Sequence, residues 1–382
     1  MPSAQLRQDI LANARKVVVK LGTALLTGQG RKVSAGLDRR YLARLASQIV
    51  ELRERGFEIT IVSSGAIAAG CAVLGLDKRP TDVAELQAMA AVGQRQLMMR
   101  FHEAFDPYDL EVAQILLTRS DFEHRIRFLN IRNCIAQLHQ RGCIPIVNEN
   151  DTVAVDEIRF GENDVLSALV CNALRADALI LLTVSEGLCD AAGNTIDLVT
   201  DIQQAATMVR KEQTAFGSGG FVSKLDAARL VTEAGEIAVI ANGRQPNVLT
   251  RLFAAESIGT AFVPAARKLD SRQRWIGLTK RPAGTVSIDD GAATALLHRG
   301  KSLLAIGITD VTGRFERGEA IMVRDRNGRE LARGLTNYSA EEIRLIMGKR
   351  SNQFEKILGR AAYAEVVHRD NLVVGLTKHD EA

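Results

Sequence analysis

The chain offers no disulfide or zinc framework. Its five cysteines are odd in number, widely spaced and never fall in a Cys-x-x-Cys pair. Cys71, Cys134, Cys143, Cys171 and Cys189 stand mostly in apolar surroundings such as SALVCNALRA, which predicts buried thiols in a reducing compartment. No apolar run approaches the ~18 residues that a membrane span needs. The opening MPSAQLRQDILANARK, with Asp9 and no unbroken apolar centre, does not read as a secretory signal. A cytoplasmic chain with no membrane partner is the expectation. Large charge of either sign is missing too: 49 Lys and Arg against 45 Asp and Glu leave +4, too little for a chain that coats a polyanion. Three nucleotide signatures are absent. There is no Gly-x-x-x-x-Gly-Lys-Ser/Thr, and GSGGFVSK (217–224) lacks the spacing of a dinucleotide-binding loop. HRDNLVV (368–374) imitates a protein-kinase catalytic loop, but Gly375 stands where that loop needs Asn.

What is present is an ordinary globular balance, 46% apolar and 25% charged, over 382 residues, enough for two domains. Short β-rich runs alternate with helical patterns. KVVVKLG (16–22), EITIVSSGA (58–66), EVAQILLT (111–118), CIPIVNEND (143–151), ALILLTV (178–184) and EIAVIANG (236–243) read as strands or strands running into loops. Between them, Leu42, Leu45, Ile49 and Leu52 mark one helix face, and further helices are expected near 82–105, 121–140, 165–176 and 221–235. Continuous apolar strands alternating with helices predict an α/β fold, an open and mostly parallel sheet covered by helices on both faces. Ligands in such sheets bind beyond the carboxyl ends of the strands. After a basic stretch that holds the only tryptophan, Trp275, the texture turns to short β-like runs with Gly turns. The expected division is residues 1–265, a linker at 266–275, a small, mostly β domain at 276–370, and a tail at 371–382.

Each polar loop at a strand end has a functional and a structural explanation. Lys20 leaves a buried strand beside Gly22 and Thr23, where an ammonium can meet an anion; it could equally snorkel to water. Ser63, Ser64, Gly65 and Ala66 join hydroxyls to a helix start, either an anion cradle or a plain helix cap. FGSGGFVSK leads glycines into a helix with Lys224 in its first turn, a placement that opposes the helix dipole and needs a compensating anion. The tripeptide Glu-Asn-Asp occurs at 149–151, ending a strand, and again at 162–164, as cap-like residues before VLSALV. Taken together, two lysines, two acidic-amide clusters and a serine-glycine loop suggest a pocket for a small zwitterion beside polyphosphate.

In order and at matching intervals, VVVKLGT, VSSGAIAAG, AVGQ (91–94), LLTRSDFEHRIRFLN, IPIVNENDTVA, GENDVLSAL and GSGGFVSK closely resemble the glutamate 5-kinase family, within the amino-acid kinase superfamily. From about residue 276 on, GITDVTGRFERGEAIMV and VVHRD resemble a PUA domain. The resemblance implies ATP-dependent phosphorylation of L-glutamate with Mg2+ as cofactor. It places Lys20 and Lys224 on the transferring phosphoryl group, with Asp164 organising both. Ser64, Asp151 and Asn163 would hold glutamate. Ser218, Gly219, Gly220, Phe221, Val222, Ser223 and Lys224, with Lys20, would hold ATP. Thr183 and Val184 would lie on its adenosine side, although relatives usually have Asp after that Thr. The resemblance further implies proline as feedback inhibitor, a homo-oligomer (dimer or tetramer) and coupling to glutamyl phosphate reductase.

Two other readings compete. One is a sister kinase acting on acetylglutamate, aspartate, carbamate or a nucleoside monophosphate. The other is an RNA-binding protein acting through its second domain. Residues 276–382 hold 17 Lys and Arg against 14 Asp and Glu, a weak electrostatic footprint, so nucleic acid is not expected as a partner.

Overall fold

A computed structural model describes residues 2–27, 36–154, 162–190, 192–202, 205, 219–264, 268–360 and 363–375. Ser218, residues 266–267 of the expected linker and residues 376–382 of the expected tail lie outside that set. The chain folds as two compact units, Met1–Asp121 with Ile126–Lys268, and Phe122–Arg125 with Leu269–Ala382.

The larger unit is built on an eight-stranded sheet: β1 (Lys16–Leu21), β2 (Glu58–Val62), β3 (Val112–Leu117), β4 (Ile144–Glu149), β5 (Ala178–Thr183), β6 (Leu198–Val199), β7 (Ile237–Asn242) and β8 (Thr260–Phe262). Their spatial order is β3-β4-β2-β1-β5-β7-β8-β6, and every pairing is parallel except β7 with β8. β1 reads KVVVKL and is buried from its second residue on, as expected of a strand covered on both faces.

Helices α1 (Pro2–Asn13), α2 (Arg39–Glu54), α3 (Ala66–Val73), α4 (Val83–Phe105), α5 (Arg125–Gln140), α6 (Glu162–Leu174) and α7 (Gly219–Glu233) accompany this sheet. The α2 stripe behaves as its spacing dictates: Leu42, Leu45, Ile49 and Leu52 are buried, and Asp38 caps the helix by accepting from the Tyr41 amide at 3.1 Å. α3 and α4 touch backbone to backbone. A Cβ on Gly93 would lie 1.8 Å from the Ala66 carbonyl oxygen, so only glycine admits this approach.

Three placements differ from expectation. Asn163 and Asp164 are not caps; they lie inside the first turn of α6, which already includes Glu162. Lys224 sits in the second turn of α7, because the helix is already formed at Gly219. The thiols are not uniformly buried either: Cys71 and Cys171 are, Cys143 and Cys189 are half-buried, and Cys134 is exposed. On α5 the core face is Phe128, Ile131 and Ile135, and Cys134 falls off that stripe.

The sheet's connectivity explains where a site forms. From β1 the chain builds outward through β2, β3 and β4 on one side, then crosses to β5 on the other flank of β1. The carboxyl end of β1 is therefore a topological switch point, and Lys20 and Gly22 stand there.

The smaller unit has a five-stranded sheet of β9 (Gly284–Ile288), β10 (Ile308–Gly313), β11 (Ala320–Arg324), β12 (Glu330–Leu335) and β13 (Leu372–Val374), ordered β10-β9-β11-β12-β13. Only β9 with β11 is parallel. The sequence VRDRNGRELARG forms the β11–β12 hairpin. α8 (Asp290–Arg299) and α9 (Ala340–Ile346) contribute Leu296, Ile343 and Ile346 to a core that holds Tyr338 and Phe354.

Candidate active site

Beyond the switch point the residues fall into two adjoining groups. The first is ionic. Lys20, on β1, places its Nζ 2.6 Å from Asp164 Oδ1, and Lys224, on α7, places its Nζ 3.2 Å from Asp164 Oδ2. Ser223 donates its hydroxyl to the same Oδ2 at 2.7 Å. The anion that Lys224 needs is thus Asp164, which is 1% exposed.

Burial alone would raise the Asp164 carboxyl, but Lys20 and Lys224, with hydrogen bonds from Lys20 and Ser223, hold it below the usual carboxylate range. Burial pushes Lys20 down; Asp164 opposes that, and the neighbouring Lys224 adds to it. Two ammonium groups on one carboxylate leave an excess positive charge in a nearly closed site. A phosphoryl group carries the complementary charge.

The second group is neutral. Ser64 follows β2, with Gly65 in the left-handed region (φ 97°) and α3 starting at Ala66. The Asn163 Nδ2 donates to Ser64 Oγ at 3.1 Å and to Asn148 Oδ1 at 3.3 Å. Asn148, at the end of β4, donates to Gln94 Oε1 at 2.9 Å, and Gln94 donates to Gln114 Oε1 at 2.9 Å. Asn163 Oδ1 is buried and has no hydrogen-bond donor among the described residues.

Asp151 follows in the turn after β4 and lines a cavity of about 480 Å³ with Gln94, Gln114 and Glu149. Burial pushes its carboxyl up to about 6, with Arg79 pulling the other way.

The structure therefore brings Lys20, Lys224, Asp164 and Ser223 onto one point, and Ser64 and Asn163 onto a neighbouring one. Asp151 shares the amide-lined cavity and makes no described hydrogen bond to either group. Thr183 ends β5 and Val184 follows it, and the Thr183 carbonyl is taken by the Gly243 amide at 2.8 Å. Gly219, Gly220, Phe221 and Val222 form the first turn of α7.

Asn148, Gln94 and Gln114 were not singled out from sequence. A signal existed for the first two. Asn148 opens the polar run after a buried strand, and Gln94 closes AVGQ directly after the glycine that lets α4 approach α3.

Among the described residues no cluster of three or more His, Cys, Asp or Glu is placed to hold a metal ion. Both Asp164 oxygens already face cations. These donors suit a Mg2+ that arrives on phosphate oxygens and keeps its waters, rather than one held in a protein cage.

Comparison with known proteins bears on the family of the whole chain. The model of the amino acid kinase family matches residues 15–242, and that of the PUA domain matches residues 284–358. Glutamate 5-kinase of Citrifermentans bemidjiense is 45% identical over 376 residues, covering 97% of this chain and 100% of that protein. Glutamate 5-kinase of Geobacter sulfurreducens is 44% identical over the same shares. Giardia carbamate kinase aligns with 66% of this chain and 99% of its own at a TM-score of 0.49 and 16% identity. With a conserved-length match to these relatives and both family models in sequence, the chain belongs to the glutamate 5-kinase family of amino acid kinases and carries a C-terminal PUA domain.

Proposed function

We propose that the chain transfers the γ-phosphoryl group of ATP to the side-chain carboxylate of L-glutamate, giving L-glutamyl 5-phosphate and ADP, the opening step of proline synthesis. The observation that carries this reading is the meeting of Lys20 and Lys224 on the buried Asp164, beside the Ser64–Asn163 pair.

The chemistry asks little of a general base. A glutamate side chain has a reference pKa near ~4.3, so the attacking oxygen is ionised at neutral pH. That oxygen forms the new bond to phosphorus, and the bond to the bridging oxygen breaks, its electron pair leaving with ADP. The obstacle is bringing one anion to another. Lys20 and Lys224 offset the charge that builds on the transferred group. Asp164 sets its carboxylate between the two ammonium groups and holds them apart, and with both oxygens engaged it is not a proton acceptor. The first turn of α7, at Gly219 and Gly220, supplies amide donors for phosphate oxygens. Mg2+ carried in on the nucleotide would further offset phosphate charge beside Lys20 and Lys224.

For glutamate itself, Ser64 accepts from Asn163, so its own proton points elsewhere and is available to a carboxylate. Asp151 supplies a negative charge for the α-ammonium. We extend the proposal to three properties that accompany the family resemblance: proline acting as an inhibitor through the amino-acid pocket, a homo-oligomeric assembly, and delivery of the labile acyl phosphate to glutamyl phosphate reductase. Cytoplasmic location belongs to the same reading.

ADP release measured with glutamate, acetylglutamate, aspartate, carbamate and a nucleoside monophosphate tests the assignment. Turnover should be fastest with glutamate by at least tenfold; comparable rates with any other acceptor would replace it.

A further inference from the structure

Four side-chain amides lie in a row, two of them on the cavity that holds Asp151 and two deeper in the unit. They are Gln114 on β3, Gln94 on α4, Asn148 on β4 and Asn163 on α6. An amide has a donor end and an acceptor end, so a chain of them has a direction. Here each link donates outward: Asn163 to Asn148, Asn148 to Gln94 and Gln94 to Gln114. Both Asn163 N–H groups are spent, on Asn148 Oδ1 and Ser64 Oγ. Its oxygen is then the group left over, buried and without a donor among the described residues.

A buried acceptor left unfilled loses its solvation with nothing in return, so the oxygen is poised for a ligand N–H. Reversal of the chain would turn the Asn163 nitrogen toward the pocket, which suits a carboxylate and repels an ammonium.

We propose that Gln94 is a positioning residue for amino-acid binding: by accepting from Asn148 it fixes the direction of the amide row, and so holds Asn163 Oδ1 toward the substrate α-ammonium. This rests on the pocket being the glutamate site. Asn148 is 1% exposed, out of reach of the bulk solvent, whereas Gln114 lies exposed and its far end can turn either way. Direction is therefore decided inside, at Gln94. The neighbouring Gly93 lets α4 lie backbone to backbone on α3, and Gln94 on the same turn reaches Asn148.

Three substitutions separate direction from packing. Gln94→Glu keeps an acceptor for Asn148, Gln94→Leu removes it, and Gln94→Lys offers only a donor and forces reversal. The KM for glutamate, the KM for ATP, kcat and the melting temperature are measured for each. The expected order of glutamate KM is wild type close to Glu (within threefold), then Leu at about tenfold, then Lys above it, with the KM for ATP moving less than twofold. A packing role predicts the opposite, with the uncharged Leu tolerated best; a Glu variant as poor as Leu or poorer overturns the proposal. Gln114 lies at the surface, so Gln114→Lys and Gln114→Glu test where the direction is decided while folding is not at stake. Both should keep the glutamate KM within twofold of wild type; a Gln114→Lys variant that raises it as far as Gln94→Lys overturns the proposal. A wild-type enzyme that turns over no glutamate would instead sink the functional assignment.

Discussion

The Lys20 ammonium lies 2.6 Å from Asp164 Oδ1 in an ion pair whose side chains are only 7% and 1% exposed. A pair sealed this well is held by geometry, and the carboxylate has a second cation, Lys224, on its other oxygen. Removing any member therefore does more than delete one contact.

Lys20→Ala and Lys224→Ala are expected to lower kcat by about 10²–10³-fold, the scale on which a single lost transition-state donor is felt, roughly 3 kcal/mol. The KM for ATP should move much less, because the glycine amides of α7 remain. Steady-state kinetics with glutamate as acceptor checks this. Near-normal turnover in either variant would remove the two-cation mechanism.

Asp164→Asn should damage the fold as well as the reaction. It leaves the Lys20 ammonium buried without a counter-charge, and breaking such a pair from one side costs about 3–5 kcal/mol. Denaturant unfolding of the variant against wild type gives the number. A loss below about 1 kcal/mol would mean that water reaches Lys20.

Asp151 gives a pH dependence with a definite sign. Its folded carboxyl is pushed up to about 6, above the ordinary 3.8, by burial, with Arg79 opposing. The folded protein thus holds this proton more tightly than the unfolded chain. The contribution to stability is full below the ordinary value and is lost as pH rises to about 6. Melting temperatures from pH 4 to pH 7 should show that decline, and Asp151→Asn should flatten it. Because the ionised form is the one that attracts an ammonium, the KM for glutamate should fall as pH rises through the same range, and the variant should lose that dependence.

Gly93→Ala inserts a Cβ 1.8 Å from the Ala66 carbonyl oxygen and 2.3 Å from the Gly70 nitrogen, both backbone atoms that cannot rotate away. The helices must separate, at a cost on the ~1–3 kcal/mol scale of overpacking or above. A lowered melting temperature together with a raised glutamate KM is expected, since Gln94 moves with its helix. A variant with unchanged stability would show that α3 and α4 can slide freely.

Much of the architecture was legible in the sequence because its signals are local. Apolar runs such as KVVVKL can only be covered strands, and the Leu42, Leu45, Ile49, Leu52 stripe can only be one helix face. The ionic half of the site was legible for another reason: a lysine at a strand end and a lysine after glycines each lack a structural purpose until paired. The amide row was not legible. Gln94 and Gln114 look like surface residues in their own segments, and only the sheet order, which sets β3 beside β4, lines them up with Asn148. Asn163 resembles a cap in sequence because Asn, Asp and a following apolar run look the same at a cap and in a first turn. Lys224 resembles a first-turn residue for a like reason, since glycines in the first turn of α7 imitate the loop before a helix.

The central position of β1 has a consequence for synthesis. This strand emerges early, yet its second neighbour, β5, begins only at Ala178, and the last cation of the site follows at residue 224. Until β5 emerges, a growing chain carries an open, apolar β1 edge of the kind that invites pairing with another molecule. Nascent chains released before β5 should be prone to aggregate, and those released between β5 and residue 224 should be inert although that edge of β1 is closed.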